Sequence, residues 1–454
     1  MWSKLFLLAA AVEACLRPSA QDTPKTRKVR RQEGEVAAPP SWVLMPVGDG
    51  DRWESGKKAP RGLGTQPDGI IISTMMNIQE MRSAVDALAN EFGIRVVEAP
   101  EKTWENRTMY AAVVSNGPID DVRTFFTGQM HGRERGLADS IIYFLADLLL
   151  ANREGTGLAY NGAKFSHAQV KKALGAGIAF MPNANPDGIQ HDRQTNECWR
   201  GNRNPTASKG VDLNRDFDWL WDFEKKFAPS IDGSLASTNP ETGTYHGTKP
   251  FSEPGARNMR WVFDELATNV NFHMDVHGFG SDYYLGVGDD LLQHDDPEMN
   301  FMNSTYDGKR GYRVDYGEYQ YREYWPVDAW KTELFIASQT CSTMNAVYNY
   351  TYGKAMRAVT AVADYATSGD IQSWAISRHL VDPSKSPVHS FTLEMVEPAK
   401  FDESDDGCWA FYPNEENYNM ILRVGGAGYM QFLLAAADEG FTAHFGKSWV
   451  GNEE

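Results

Sequence analysis

The chain has 454 residues, 42% of them hydrophobic, and a formal net charge of −17. That apolar fraction is enough for a large buried core. The acidic balance argues against nucleic acid and anionic membranes as partners, and favours attraction of cationic peptides at low salt.

In chain order, Lys4 precedes the apolar run Leu5 to Val12, and small residues end near Ala20. This pattern predicts a secretory signal peptide over residues 1–20, too short to span a membrane. Residues 21–67 are rich in Pro, Gly and charge and are expected to form a short disordered leader, a candidate propeptide. Its basic run Lys25 to Arg31 reads first as a processing site, then as a nucleic-acid arm or a plain tail. Met81, Val85, Leu88 and Phe92 recur at helical spacing, and the short apolar runs Ile94–Val97, Ile178–Met181 and Phe391–Leu393 read as strands of a largely parallel sheet. Phe125-Phe126 ends another strand, before the helix-period run Ile141, Ile142, Leu145, Leu148 and Leu149. Val270, Phe272, Met274 and Val276 alternate as a half-buried strand does. Met356, Val359 and Val362 follow a helical period, and the stretches Phe223–Thr244 and Gly280–Gly311 read as surface insertions. No later stretch is long and apolar enough to cross a membrane. No internal repeat is present. The expectation is one α/β domain over residues 68–440, a central mixed and largely parallel twisted β-sheet flanked by helices, with a tail over 441–454.

Polar clusters fall at the ends of these strands. His131 and Glu134 stand at H-x-x-E spacing in Gly128-Gln-Met-His-Gly-Arg-Glu134, two-thirds of a His₂Glu metal site, at a strand-to-helix turn. Asn185-Pro-Asp-Gly188, Trp199-Arg200 and Asp212-Leu-Asn214-Arg215 follow, and then His277-Gly278 closes the alternating strand. His273 lies four residues earlier on the same strand face and is the rival third ligand. His277 is preferred because it ends the strand, where a metal and substrate can approach. Glu394 sits alone in a β-prone apolar run, a costly position for a charge that does no chemistry.

This series resembles the zinc metallocarboxypeptidases of the pancreatic carboxypeptidase A and B type, over roughly Ile70 to Gly440. The resemblance implies one zinc ion held by His131, Glu134 and His277, with the fourth position left for water or substrate. It implies Glu394 as general base, Arg200 as oxyanion stabiliser, and Asn214 with Arg215 as the clamp for a terminal carboxylate, where a guanidinium fork suits the planar group. Arg133 is expected beside the incoming peptide, and Tyr365 is similar to the tyrosine that closes over substrate. Gln372 aligns with the base of the side-chain pocket, which is apolar in A-type and an aspartate in B-type enzymes. With Asp370 two residues earlier and Asp364 beside Tyr365, the expected preference is mixed, large neutral residues with basic ones tolerated. The chain departs from the pancreatic pattern in its short leader, which cannot form a globular inhibitory domain.

The partners implied are peptide or protein C-termini, with no nucleic acid and no membrane, and a monomer is expected. Three N-x-S/T triplets, at Asn106, Asn303 and Asn349, agree with a secreted, extracellular glycoprotein. After loss of Cys15 with the signal, Cys198, Cys341 and Cys408 allow one disulfide, and bonding at Cys198 would brace Arg200. Two other readings stay open: a zinc amidase or deacylase of the same fold acting on small amino acids or cell-wall peptides, and a catalytically inactive peptide-binding relative.

Overall fold

The structure, a computed structural model, describes residues 43–115, 117–231, 235–311, 321–347, 355–362, 365–395 and 408–445. Twelve strands occur among them: β1 (Arg95–Lys102), β2 (Thr108–Val114), β3 (Thr124–Gly128), β4 (Leu158–Tyr160), β5 (Ala163–Phe165), β6 (Ile178–Met181), β7 (Phe272–Gly278), β8 (Asp282–Leu285), β9 (Leu292–Gln293), β10 (Glu323–Tyr324), β11 (Arg357–Thr360) and β12 (His389–Met395). Eight of them form one sheet in the order β1-β2-β6-β3-β7-β12-β8-β11. β3 is parallel to β6 and β7, β12 to β7, and β11 to β8, whereas β2 is antiparallel to β1 and β6, and β8 to β12. This is the mixed α/β sheet the sequence predicts.

Side chains alternate across the sheet, so neighbours in one strand feed opposite cores. Phe126, Met274, Val276, Phe391 and Leu393 pack beneath helices Leu137–Glu154, Val327–Val347 and Glu415–Asp438, while Phe125, Met181 and Trp374 join the opposite core. The chain leaves β3 for β6 on one side and returns to β7 on the other, so the strand order reverses at β3. Open α/β sheets bind ligands at such a point, outside the carboxyl ends of the strands.

Several expectations change. The helix read from Met356, Val359 and Val362 is instead strand β11, because Val359 and its neighbours pair with β8. Gly280–Gly311 is more than an insertion, since it contributes β8 to the central sheet. Helix Glu415–Asp438 is long and apolar enough to cross a membrane, contrary to the reading above, but 78% of its apolar window is buried in this core. The domain also outruns the expected 68–440. Phe445 packs against Trp325 and His389. Residues 43–67 are ordered: Met45 is buried, Val47 bridges Met75, and the Asp147 carboxylate accepts from the amides of Gly64 and Thr65. The signal-peptide and basic-run readings lie outside the described residues.

The strongest tie on this leading segment is Arg52, whose guanidinium donates to both oxygens of buried Glu80 at 2.6 and 3.0 Å. Glu80 also completes a capping box with Asn77 at the start of helix Ile78–Phe92. Glu80→Ala removes both and should lower unfolding free energy by about 1–3 kcal/mol in urea titration.

Candidate metal centre and substrate cleft

The carboxyl ends of β3, β7 and β12 converge in register. His277 pairs with Glu394 across β7 and β12, and Gly128 at the end of β3 pairs with Val276. Three residues beyond Gly128, the turn before helix Leu137–Glu154 carries His131 and Glu134. Gln129 builds that turn: its side-chain amide donates to the Gly132 carbonyl, and its oxygen accepts from Ala138 N at the helix start. A side chain at Gly132 would meet Gly188 O at 2.4 Å and Trp199 O at 2.8 Å. Only glycine allows the metal-motif turn, the Asn185-Pro-Asp-Gly188 turn and the Trp199-Arg200 loop to nest so closely. Asn185 sews them together, donating to Met130 O and Gly201 O while its oxygen caps Gly188 N.

Within this frame the ligand atoms of His131, Glu134 and His277 all lie within 4.8 Å of one another, and all three side chains are buried. His131 Nδ1 is 2.6 Å from Glu134 Oε1 and 3.1 Å from His277 Nδ1, and His277 Nδ1 is 3.2 Å from Glu134 Oε2. Each imidazole's far nitrogen faces an aspartate: His131 Nε2 is 3.0 Å from Asp212 Oδ1, and His277 Nε2 is 2.5 Å from Asp275 Oδ2. With Nε2–H donated to those carboxylates, the two Nδ1 lone pairs face each other beside a third acceptor. Such an arrangement requires a positive charge between them.

The same demand for positive charge shows in the titration, where a proton on a ring takes the place of the cation. Burial opposes ionisation, yet the charges of His131 and His277 hold the Glu134 carboxyl well below its usual range. Burial likewise opposes charging of His277, but Asp275 and Glu134 push its pKa well up. The donor set of two imidazoles and one carboxylate fits zinc, whose bonds of about 2.0–2.1 Å set tetrahedral ligand atoms about 3.3 Å apart.

A polar chain down the sheet fixes the His277 tautomer. Thr127 Oγ1 donates to Asp275 Oδ1 at 2.5 Å and lies 3.0 Å from His273 Nε2, while His273 Nδ1 lies 2.8 Å from Ser390 Oγ. Burial lowers the His273 pKa to about 4, so its ring is neutral, donates through Nε2 and accepts from Ser390. His273 therefore supports the site from beneath and is outside the ligand cluster. Sequence reading missed Asp275, Asp212 and Gln129. Asp275 carried a signal: it precedes His277 by two residues and so shares its strand face.

The chain matches the zinc carboxypeptidase family model over residues 81–425. The chain belongs to this family. It is 27% identical over 205 residues to a carboxypeptidase B of Astacus astacus, covering 44% of this chain and 60% of that protein. It is 33% identical over 188 residues to an inactive metallocarboxypeptidase of Ajellomyces dermatitidis, covering 39% of this chain and 28% of the relative. These matches span about a quarter to three-fifths of the curated relatives' length. The fold resembles carboxypeptidase A from Helicoverpa armigera, with a TM-score of 0.56 and 21% identity over 80% of this chain and 74% of that one.

The other family positions surround the cluster. Glu394 borders it from β12, half-buried; desolvation first, then repulsion by Glu134, pushes its carboxyl up to about 8. A cation held by the three ligands acts in the opposite sense and favours the carboxylate. Arg200 donates through Nε and Nη2 to Asp212 Oδ2 at 3.0 and 2.8 Å, which aims Nη1 at the ligands, 3.2 Å from His131 Nδ1. Tyr365 is 44% exposed. Arg215 is buried and its Nη1 donates to Asn214 O at 2.7 Å; Asn214 Oδ1 accepts from Ile371 N, tying both residues to the first turn of helix Ile371–Val381. Arg133 is half-buried and lies 4.3 Å over the Phe411 ring.

Asp370 caps helix Ile371–Val381, its two oxygens accepting from Ser373 N and Thr367 Oγ1 at 2.8 and 2.9 Å. Asp364 lies outside the described residues. Gln372 is buried and donates to Gly286 O at 2.8 Å. Asp275→Asn, which removes the acceptor charge behind His277, should weaken zinc binding about 10- to 100-fold in a competition titration against a chromophoric chelator.

Proposed function

We propose that this chain is a zinc-dependent carboxypeptidase that releases single residues from free peptide C-termini. The observation that carries the reading is the convergence of His131, Glu134 and His277 on one point flanked by Glu394 on one side and Arg200 on the other. Zinc in such a site supplies Lewis acidity toward a carbonyl and makes water a better nucleophile at neutral pH. Glu394 takes the proton of the attacking water and passes it to the leaving amine. Arg200, fixed by Asp212, adds positive charge where the carbonyl oxygen becomes negative. Arg215 and Asn214 hold the terminal carboxylate, so the enzyme counts from the chain end, and Tyr365 covers the bound substrate from the mouth of the cleft.

The inactive relatives raise the alternative of a peptide-binding protein without turnover. Retention of both histidines, Glu134 and Glu394 supports the active reading, because loss of activity in this fold ordinarily follows replacement of a ligand or the base. A secreted location, supported by the apolar N-terminal run and by exposed Asn106 in its glycosylation triplet, is part of the same proposal. The side-chain preference we infer is for large neutral residues, set by the uncharged amide of Gln372.

Glu394→Gln should lower kcat by at least about 100-fold while zinc content stays at one equivalent, measured by plasma emission on the dialysed protein. Retained turnover would rule out the proton-transfer role. Arg215→Ala should reduce kcat/KM on peptides with a free C-terminus by about 10- to 100-fold, and C-terminal amidation of the peptide should have a comparable effect on the wild type. Gln372→Asp should raise the relative kcat/KM for C-terminal Lys and Arg in a peptide-pool digest. An unchanged ranking would remove Gln372 from the pocket.

A further inference from the structure

A disulfide joins Cys198 to Cys408, and buried Cys341 lies outside that bond. Bonding at Cys198 was anticipated as a brace for Arg200, but the geometry points elsewhere. Arg200 is already held by two charge-assisted hydrogen bonds to buried Asp212. The disulfide instead tethers the start of the segment carrying Phe411. Its carbonyl takes a 3.4 Å hydrogen bond from Arg135 N, and its ring meets Arg133 at 4.3 Å and Phe279 at 6.4 Å. Arg133 also points back at the disulfide, with Nη1 3.9 Å from Cys198 Sγ. Arg133 is two residues after ligand His131, and Phe279 is two residues after ligand His277. Arg133, Phe411 and Phe279 thus form a cationic and aromatic wall beside the metal cluster, closed at one end by the Cys198–Cys408 bond.

At the other end the segment is pinned independently. Tyr412 OH donates to Asp192 Oδ1 at 2.7 Å and accepts from Cys198 N at 2.9 Å, and Arg135 lies 3.7 Å over its ring. Opening the disulfide therefore frees Phe411 to swing on Tyr412 without unfolding the domain.

We propose that the Cys198–Cys408 disulfide is a redox-sensitive positioning element for peptide residues upstream of the scissile bond. Closed, it holds the wall against the extended peptide. Opened by two equivalents of a thiol, with two electrons and two protons passing to the cysteine sulfurs and the reductant leaving as its own disulfide, it releases the wall while the ligands and Arg200 stay fixed. This rests on the carboxypeptidase reading only in requiring that peptide occupies this cleft.

Binding, not turnover, provides the test. Zinc-loaded Glu394→Gln protein is titrated calorimetrically with an acetylated dipeptide and with an acetylated tetrapeptide ending in the same two residues, before and after treatment with a phosphine, which with one water converts the disulfide to two thiols and becomes the phosphine oxide. Alkylation and peptide mapping confirm that Cys198 and Cys408 have opened. Reduction should weaken tetrapeptide binding about 5- to 10-fold and change dipeptide binding less than about twofold. The Cys198→Ser/Cys408→Ser protein should behave as the reduced form, and Phe411→Ala should give the same selective loss with the disulfide intact. Equal weakening of both peptides, or of neither, overturns the proposal. A wild-type protein that hydrolyses nothing while this binding difference persists overturns the catalytic reading alone.

Discussion

Two imidazole lone pairs aimed at one point, with a carboxylate beside them, form the constraint on which the rest of this site depends. They point there because Asp212 and Asp275 occupy the far nitrogens. Left alone, three acceptors in a buried space would repel one another. The arrangement is stable with a cation, and a large part of the surrounding structure serves to keep it. Thr127, His273 and Ser390 extend support for Asp275 down three adjacent strands, all on the same sheet face.

Asp212 links this constraint to the chemistry. One of its oxygens faces His131 and the other receives Arg200, so the orientations of both side chains depend on a single carboxylate. Burial opposes its ionisation, but Arg200 and His131 hold its pKa well below the usual range. The same short segment continues into Asn214 and Arg215, and Asn214 anchors the start of helix Ile371–Val381. His131, Arg200 and helix Ile371–Val381 are therefore connected through the short segment Asp212 to Arg215, which the proposed function uses as a carboxylate clamp.

Legibility from sequence followed the strength of local pattern. Strand β6 and helices Ile78–Phe92 and Leu137–Glu154 were readable because their apolar periods are set by burial on one or both faces. Strand β11 was misread because the three-residue spacing of Met356, Val359 and Val362 mimics a helical period, whereas pairing of Arg357–Thr360 with β8 decided the outcome. The cluster of His131, Glu134 and His277 was readable from motif order at strand ends. Asp370 was readable as a nearby acid but not as a helix cap, since that role depends on where Thr367 and Ser373 stand in space. The packed leading segment was hidden for a similar reason: its composition is that of a solvated chain, and its order comes from distant partners, Glu80 and Asp147.

The most direct test of the central claim is X-ray absorption at the zinc edge on the metal-loaded protein. The account predicts one zinc per chain with two imidazole nitrogens at about 2.0–2.1 Å and the remaining ligands oxygen. A spectrum requiring thiolate, or any number of histidines other than two, would contradict it.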